Sequence, residues 1–169
     1  IVLGAGKANA AMAQATEAYY EARGELDRIS GFVTTRHGFG LPTKHLEILE
    51  AAHPVPDLAS AAGAERSLKL AAEAGPNHLV LVLLSGGASA LWSAPVASVT
   101  AEDKQALTRM LLKSGAPIGE MNTVRRHLSR IKGGRLAKAA YPAKLLTLAI
   151  SDVPGDVPEA IGSGPTVAD

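Results

Sequence analysis

Short aliphatic runs alternate with longer alanine-rich stretches along this chain. Residues 1–3 predict a strand that ends at Gly4-Ala5-Gly6, and residues 8–23 predict a helix stopped by Gly24. Residues 31–35 and 48–52 are short enough to be further strands, separated by a loop that carries Gly38, Gly40 and Pro42. Residues 79–84 are uniformly apolar, as a strand buried on both faces would be. Residues 144–151 form the last strand in this reading. Three more helices fill the gaps. One starts at Asp57 as N-cap and stops before Gly75-Pro76. Another opens at Thr100 with Asp103 at capping-box spacing and ends near Gly115, and a third runs from 120 to 132, up to Gly133-Gly134.

Strand-to-helix alternation of this kind predicts an α/β fold, a Rossmann-like three-layer domain with a mostly parallel sheet and helices on both faces. A chain of 169 residues with 47% hydrophobic and 20% charged residues can bury one core, so residues 1–169 are expected to form a single domain. The charge balance adds an exclusion: a formal charge of +1 gives no global field to recruit nucleic acid or an acidic membrane, so any anion site must be local. Cysteine is absent, which excludes disulfides and thiolate metal clusters and fits a reducing compartment. The longest aliphatic run is far shorter than a membrane span and no signal-peptide pattern opens the chain, so a cytoplasmic protein is expected. Because Ile1 opens directly into a strand and the last residues are a glycine-rich loop, both ends are expected to continue into a longer chain.

Candidate chemistry lies in the loops. Gly4-Ala5-Gly6-Lys7 sits where a strand turns into a helix, where free amides and a lysine ammonium could converge on phosphate oxygens; a tight turn with a solvated lysine is the plain alternative. A dinucleotide fingerprint needs a third glycine where Asn9 stands, and a Walker A loop needs Ser or Thr where Ala8 stands. Ser85-Gly86-Gly87-Ala88-Ser89 follows the most apolar strand, at the edge where open α/β sheets place ligands. Along 121–132, Met121, Val124, Leu128 and Ile131 form an apolar stripe read as core. Asn122, Arg125, Ser129 and Lys132 form a polar one that ends at Gly133; Arg125 and Lys132 are candidates for anionic oxygens, a solvated face being the alternative. His127 has no second histidine at metal-ligand spacing and is read as packing or hydrogen bonding. Asp152 and Asp156 offer hard oxygens suited to magnesium, or else bond their own backbone as an Asx-turn pair. Gly162-Ser163-Gly164-Pro165-Thr166 adds a further loop of small and hydroxyl residues.

In combination and order, GAGKA at 4–8, HPVPD at 53–57, LLSGGASAL at 83–91, MNTVRRHLSRIKGGRLA at 121–137, SDVPGD and IGSGPT resemble the N-terminal domain of the glycerate 2-kinase family, whose members are often labelled hydroxypyruvate reductases. The resemblance implies transfer of the γ-phosphoryl of ATP to the 2-hydroxyl of D-glycerate in an interdomain cleft. It also implies a leading helical segment and a C-terminal domain outside this chain. It points to Lys7 as an active-site residue. Gly4, Gly6, Ser85, Gly86, Gly87, Ala88, Ser89, Asn122, Arg125, Lys132, Gly133, Ser163 and Gly164 are expected around nucleotide or glycerate, with Asp152 and Asp156 on Mg2+. The expected partners are small molecules, not nucleic acid or membrane, and a homo-oligomer is compatible with the resemblance. Two rivals stay open at this stage: an NAD(P)H-dependent hydroxypyruvate reductase and a non-catalytic domain that binds a phosphate ligand.

Overall fold

In the computed structural model, which describes residues 1–168 apart from the side chains of Ala101, Lys104, Gln105 and Ile118, five parallel strands form one sheet. They are β1 (Val2–Ala5), β2 (Gly31–Arg36), β3 (Glu47–Ala51), β4 (Leu79–Ser85) and β5 (Lys144–Ile150), in spatial order β3-β2-β1-β4-β5. Alternate residues serve opposite layers, as the pleat requires. Val2, Val33, Leu81 and Leu83 pack with Ala13 of helix α1 (Asn9–Glu21) on one face. Leu3, Phe32, Val80, Val82 and Leu84 pack on the other against Ala64 and Ala71 of α2 (Leu58–Ala72), with Leu91, Leu136 and Ala140. Small residues on the inner sides of both helices let them lie close to the sheet. The expected three-layer fold is therefore the observed one. Toward β5 the α1 face stays open, with Leu146, Leu148 and Ile150 about half exposed.

Chain direction fixes where a ligand can enter. From β1 the chain crosses by α1 to β2 on one side, whereas from β3 it returns by α2 to β4 on the other side of β1. The reversal leaves a crevice at the carboxyl ends of β1 and β4, the topological switch point of an open α/β sheet. Two polar side chains, the buried Glu17 and the part-buried Asp57, hold the long segments around it. Glu17, 4% exposed, accepts hydrogen bonds from the N–H groups of Lys44, His45 and Leu46 and so pins the loop between β2 and β3.

Asp57 caps α2 as expected: its Oδ1 accepts from Ser60 N–H at 2.8 Å, and the Ser60 hydroxyl accepts from Asp57 N–H. Burial alone would raise the Asp57 carboxyl, but hydrogen bonds from Ser60, Ala52 and His37 outweigh it and hold the group at about 2. Because the folded value lies below the ordinary 3.8, the cap stabilises the fold above that pH and its contribution is lost as pH falls toward 2. Its side chain is about a third exposed, so solvent screening trims the effect. Asp57→Ala should cost about 1 kcal/mol at neutral pH, read from denaturant midpoints, and the gap to the parent should close between pH 4 and 2. A gap that survives unchanged at pH 2 would assign the effect to packing instead.

Between β4 and β5 the chain forms α3 (Ala88–Leu91), α4 (Ala101–Lys113), α5 (Ile118–His127) and α6 (Arg135–Ala140). Thr100 and Asp103 make the expected reciprocal cap of α4, Asp103 N–H donating to Thr100 Oγ1 at 3.0 Å. The helix expected over 120–132 is shorter. It ends at His127 because the next residues are captured by the 94–96 segment: Ser129 bridges Pro95, Val96 N–H donates to the Leu128 carbonyl and Arg130 N–H to that of Ala94. The two stripes read over 121–132 therefore do not run along one helix. Ile131 is buried, but Val124, expected in the core, is 39% exposed.

Candidate active site

Four of the five strands deliver a chemically active side chain at or just past the carboxyl end, Lys7 after β1, Arg36 closing β2, His53 after β3 and Asp152 after β5, and β4 delivers the bare Gly86-Gly87 turn. Parallel register brings them to one level, with Ala5 beside Thr34 and Leu84, and Ser85 beside Ile150. Gly86 and Gly87 are the hub. A Cβ on Gly86 would lie 2.7 Å from Asp152 Cγ. One on Gly87, whose φ is +90°, would lie 3.0 Å from His53 Nε2 and 3.4 Å from Lys7 Cγ. Only glycines leave room for a carboxylate, an imidazole and a lysine stem around one turn. Lys7 Nζ stands 3.8 Å from Asp152 Oδ2, with side chains 41% and 60% exposed. Such an exposed pair costs little to open, so both groups are available to a charged ligand.

The first glycine turn does something other than cradle an anion. Lys7 N–H donates to the Gly86 carbonyl, Ala8 N–H to Ser85 Oγ, Gly6 N–H to the Thr34 carbonyl and Asn9 N–H to that of Gly6. The amides expected to face phosphate are thus spent on joining β1 to β2 and β4, as are their neighbours. Ser85 donates to Asn9 Oδ1 at 2.7 Å, and Asn9 Nδ2 donates to the Leu83 carbonyl at 2.8 Å. Ser85 is 2% exposed and Asn9 fully buried, so these groups, with Gly4 and Gly6 packed against them, form a rivet under the site. No internal partner among the described residues takes up the N–H groups of Gly87 and Ser89, which leaves the second loop as the better surface for anionic oxygens.

Lys132, 1% exposed, donates from Nζ to the carbonyl oxygen of Ser89 at 2.6 Å and to its hydroxyl; that hydroxyl lies 2.9 Å from Ser163 Oγ. Gly133 N–H donates to the Ser163 carbonyl and Gly134 N–H to that of Gly164. Lys132, Gly133, Ser163 and Gly164 consequently fasten α3 to the last turns of the chain, behind the loop of Gly86, Gly87, Ala88 and Ser89. Arg125 differs. It is part-buried on α5, one turn beyond Asn122, and its Nε is buried with no hydrogen-bond partner among the described residues. Burial lowers its guanidinium from the ordinary value, and its charge reaches His53. His127 accepts the plain reading, its Nδ1 lying 2.9 Å from the Thr123 carbonyl. Asp156 sits in the turn after Asp152 with φ +51°, and no contact brings it to Lys7 or Gly86 among the described residues.

Two residues at the crevice escaped the sequence reading. Arg36 lies with its guanidinium 4.0 Å from the Phe39 ring centroid. His53 lies within HPVPD, a motif that carried the family resemblance without pointing to its histidine. Burial pushes the His53 imidazole down, reinforced by Lys7, Arg36 and Arg125 and opposed by Asp152. No spacing rule links position 53 to 7 or 87; only the strand order does.

Comparison with known proteins finds relatives under two enzyme names. The chain is 55% identical over 169 residues to an Agrobacterium vitis protein with a provisional hydroxypyruvate reductase name, covering all of this chain and 38% of that protein. It is 45% identical over 168 residues to a glycerate 2-kinase of Pyrococcus horikoshii, covering 99% of this chain and 37% of that protein. A crystal structure of glycerate kinase from Thermotoga maritima superposes with a TM-score of 0.90 at 46% identity, covering all of this chain and 40% of that one. The chain thus spans about two fifths of the length of the relatives it matches. No described helix is long and apolar enough to cross a membrane. Over its whole length, residues 1–169, the chain belongs to the family described as a domain of unknown function (DUF4147).

Proposed function

We propose that the protein phosphorylates D-glycerate to 2-phosphoglycerate with ATP and Mg2+, and that residues 1–168 supply one wall of an active site completed by a second domain. The observation that carries this reading is the meeting of Lys7 and Asp152 on the Gly86-Gly87 turn at the switch point, in a chain close in sequence to glycerate 2-kinases. Phosphoryl transfer asks a protein mainly to position its reactants and to neutralise charge on the transferring group. Lys7 and the part-buried Arg125, whose Nε is without a hydrogen-bond partner among the described residues, supply positive charge, and the bare Gly87 admits a phosphate oxygen to the backbone. The exposed carboxylate of Asp152 beside that turn is a hard oxygen donor of the kind Mg2+ takes. Asp152, with Asp156 in the turn that follows, would hold the ion, which when bound neutralises phosphate charge. A cytoplasmic location suits an ATP-dependent step.

A reductase needs a dinucleotide cradle at the first glycine turn, and those amides are internally bonded while Asn9 fills the place of the third glycine. A purely binding domain would have no use for a carboxylate in contact range of the phosphate lysine. The test is a coupled assay on the full-length protein with D-glycerate, ATP and Mg2+, followed by identification of the phosphoglycerate isomer. The expected product is 2-phosphoglycerate, with turnover lost on chelation of Mg2+. Oxidation of NADH by hydroxypyruvate without phosphorylation would sink the kinase reading.

A further inference from the structure

We infer that His53 is a catalytic residue of the kinase, the group that touches the acceptor hydroxyl of the substrate and takes its proton as the phosphoryl group arrives; this rests on the kinase reading above. Three observations lead there. The ring stands at the hub itself, Cδ2 and Nε2 lying 2.9 and 3.0 Å from where a Gly87 Cβ would be, so the missing side chain leaves the ring facing the turn. Part-buried, it makes no hydrogen bond among the described residues, whereas His37, His78 and His127 all do. The charges that reach it are those of Lys7 from the β1 turn, Arg36 from β2, Asp152 from the β5 loop and Arg125 from α5. Burial, reinforced by the three cations and opposed by Asp152, pushes the imidazole below its ordinary value, which favours the neutral ring with a nitrogen lone pair to accept a proton.

The step balances without a further reactant. The hydroxyl O–H bond breaks and its proton passes to the His53 ring nitrogen. The oxygen forms the new bond to the γ-phosphorus, the bond from that phosphorus to the β,γ-bridging oxygen breaks, and ADP leaves with that electron pair. Asp152 is the other candidate for the proton, but its exposed carboxylate is the one suited to the metal.

The test uses the full-length protein with D-glycerate, ATP and Mg2+. His53→Ala should lower kcat on the order of 10²-fold with the KM for ATP little changed, and added imidazole should restore a substantial part of the rate. His53→Gln keeps a hydrogen-bonding side chain that cannot take the proton, so it should be as slow as the alanine variant, and it decides the matter if His53→Ala proves unstable in a thermal melt. Near-parental kcat in His53→Gln, or a loss confined to KM in either variant, would overturn the inference and leave the kinase reading standing. A parent protein that transfers no phosphoryl group to glycerate would overturn both.

Discussion

Replacing Lys7 with alanine should lower kcat/KM for glycerate phosphorylation by about 10³-fold while shifting the thermal midpoint by no more than about 2 °C. The two halves of that expectation come from different parts of the residue. The main chain of Lys7 is fixed on both sides, its N–H donating to the Gly86 carbonyl and its carbonyl accepting from the Thr35 hydroxyl. Alanine keeps both bonds, so the turn survives. The side chain contributes little to the fold, because its ammonium is exposed and its ion pair with Asp152 spans 3.8 Å. What alanine removes is a positive charge at the crevice where the proposed reaction would place the transferring phosphoryl, and that charge acts most strongly once ligand has displaced water. Lys7→Arg should recover only part of the loss, since a planar guanidinium on a longer stem cannot take the same place beside Gly87. Steady-state kinetics with a thermal melt of each variant checks both halves. A variant that stays active would remove Lys7 from the reaction, and one that fails to fold would make it a structural residue.

Strands and layers were legible because their signals are local. A short apolar run such as 79–84, between Gly75-Pro76 and Gly86-Gly87, has the length and flanks of a buried strand, and Asp57 and Thr100 announce their caps within four residues. The boundary at His127 was not legible, because 121–132 keeps its helical period through the break. What ends the helix is the pairing of Ser129 with Pro95, thirty-four residues upstream. At the site, glycine-rich loops marked the right places but not the right use. A free amide and one donating to a distant carbonyl look identical in sequence, so Gly4-Ala5-Gly6 suggested an anion cradle where the fold makes a rivet. Lys132 was read as a ligand group for the same reason; its burial under Ser89 is a tertiary fact. His53 is the reverse case, a residue without local signal that the order β3-β2-β1-β4-β5 carries to the crevice.

That rivet should be the most sensitive point of the fold: Gly6→Ala should destabilise the protein by about 4 kcal/mol or more. Gly6 has φ +148°, and a Cβ there would collide with Ser85 Oγ and lie 2.6 Å from the Ser85 carbonyl oxygen and 2.7 Å from Asn9 Oδ1. Neither neighbour can retreat cheaply. Ser85 Oγ accepts from Ala8 N–H and donates to Asn9 Oδ1, while Asn9 Nδ2 holds the Leu83 carbonyl inside β4. Moving either one leaves buried polar groups unpaired, at about 1–3 kcal/mol each, on top of the strain of a side chain in that backbone region. A total of that size is a large fraction of the stability of an ordinary domain. Ser85→Ala offers the comparison: it removes the hydroxyl without forcing the backbone, so it should cost less than Gly6→Ala and leave a folded protein. Denaturant unfolding followed by the fluorescence of Trp92, the single tryptophan and only 2% exposed, reads both. Equal midpoints for Gly6→Ala and the parent would show that β1 and β4 can part without cost, and with them the crevice in which Lys7 and Gly87 face each other.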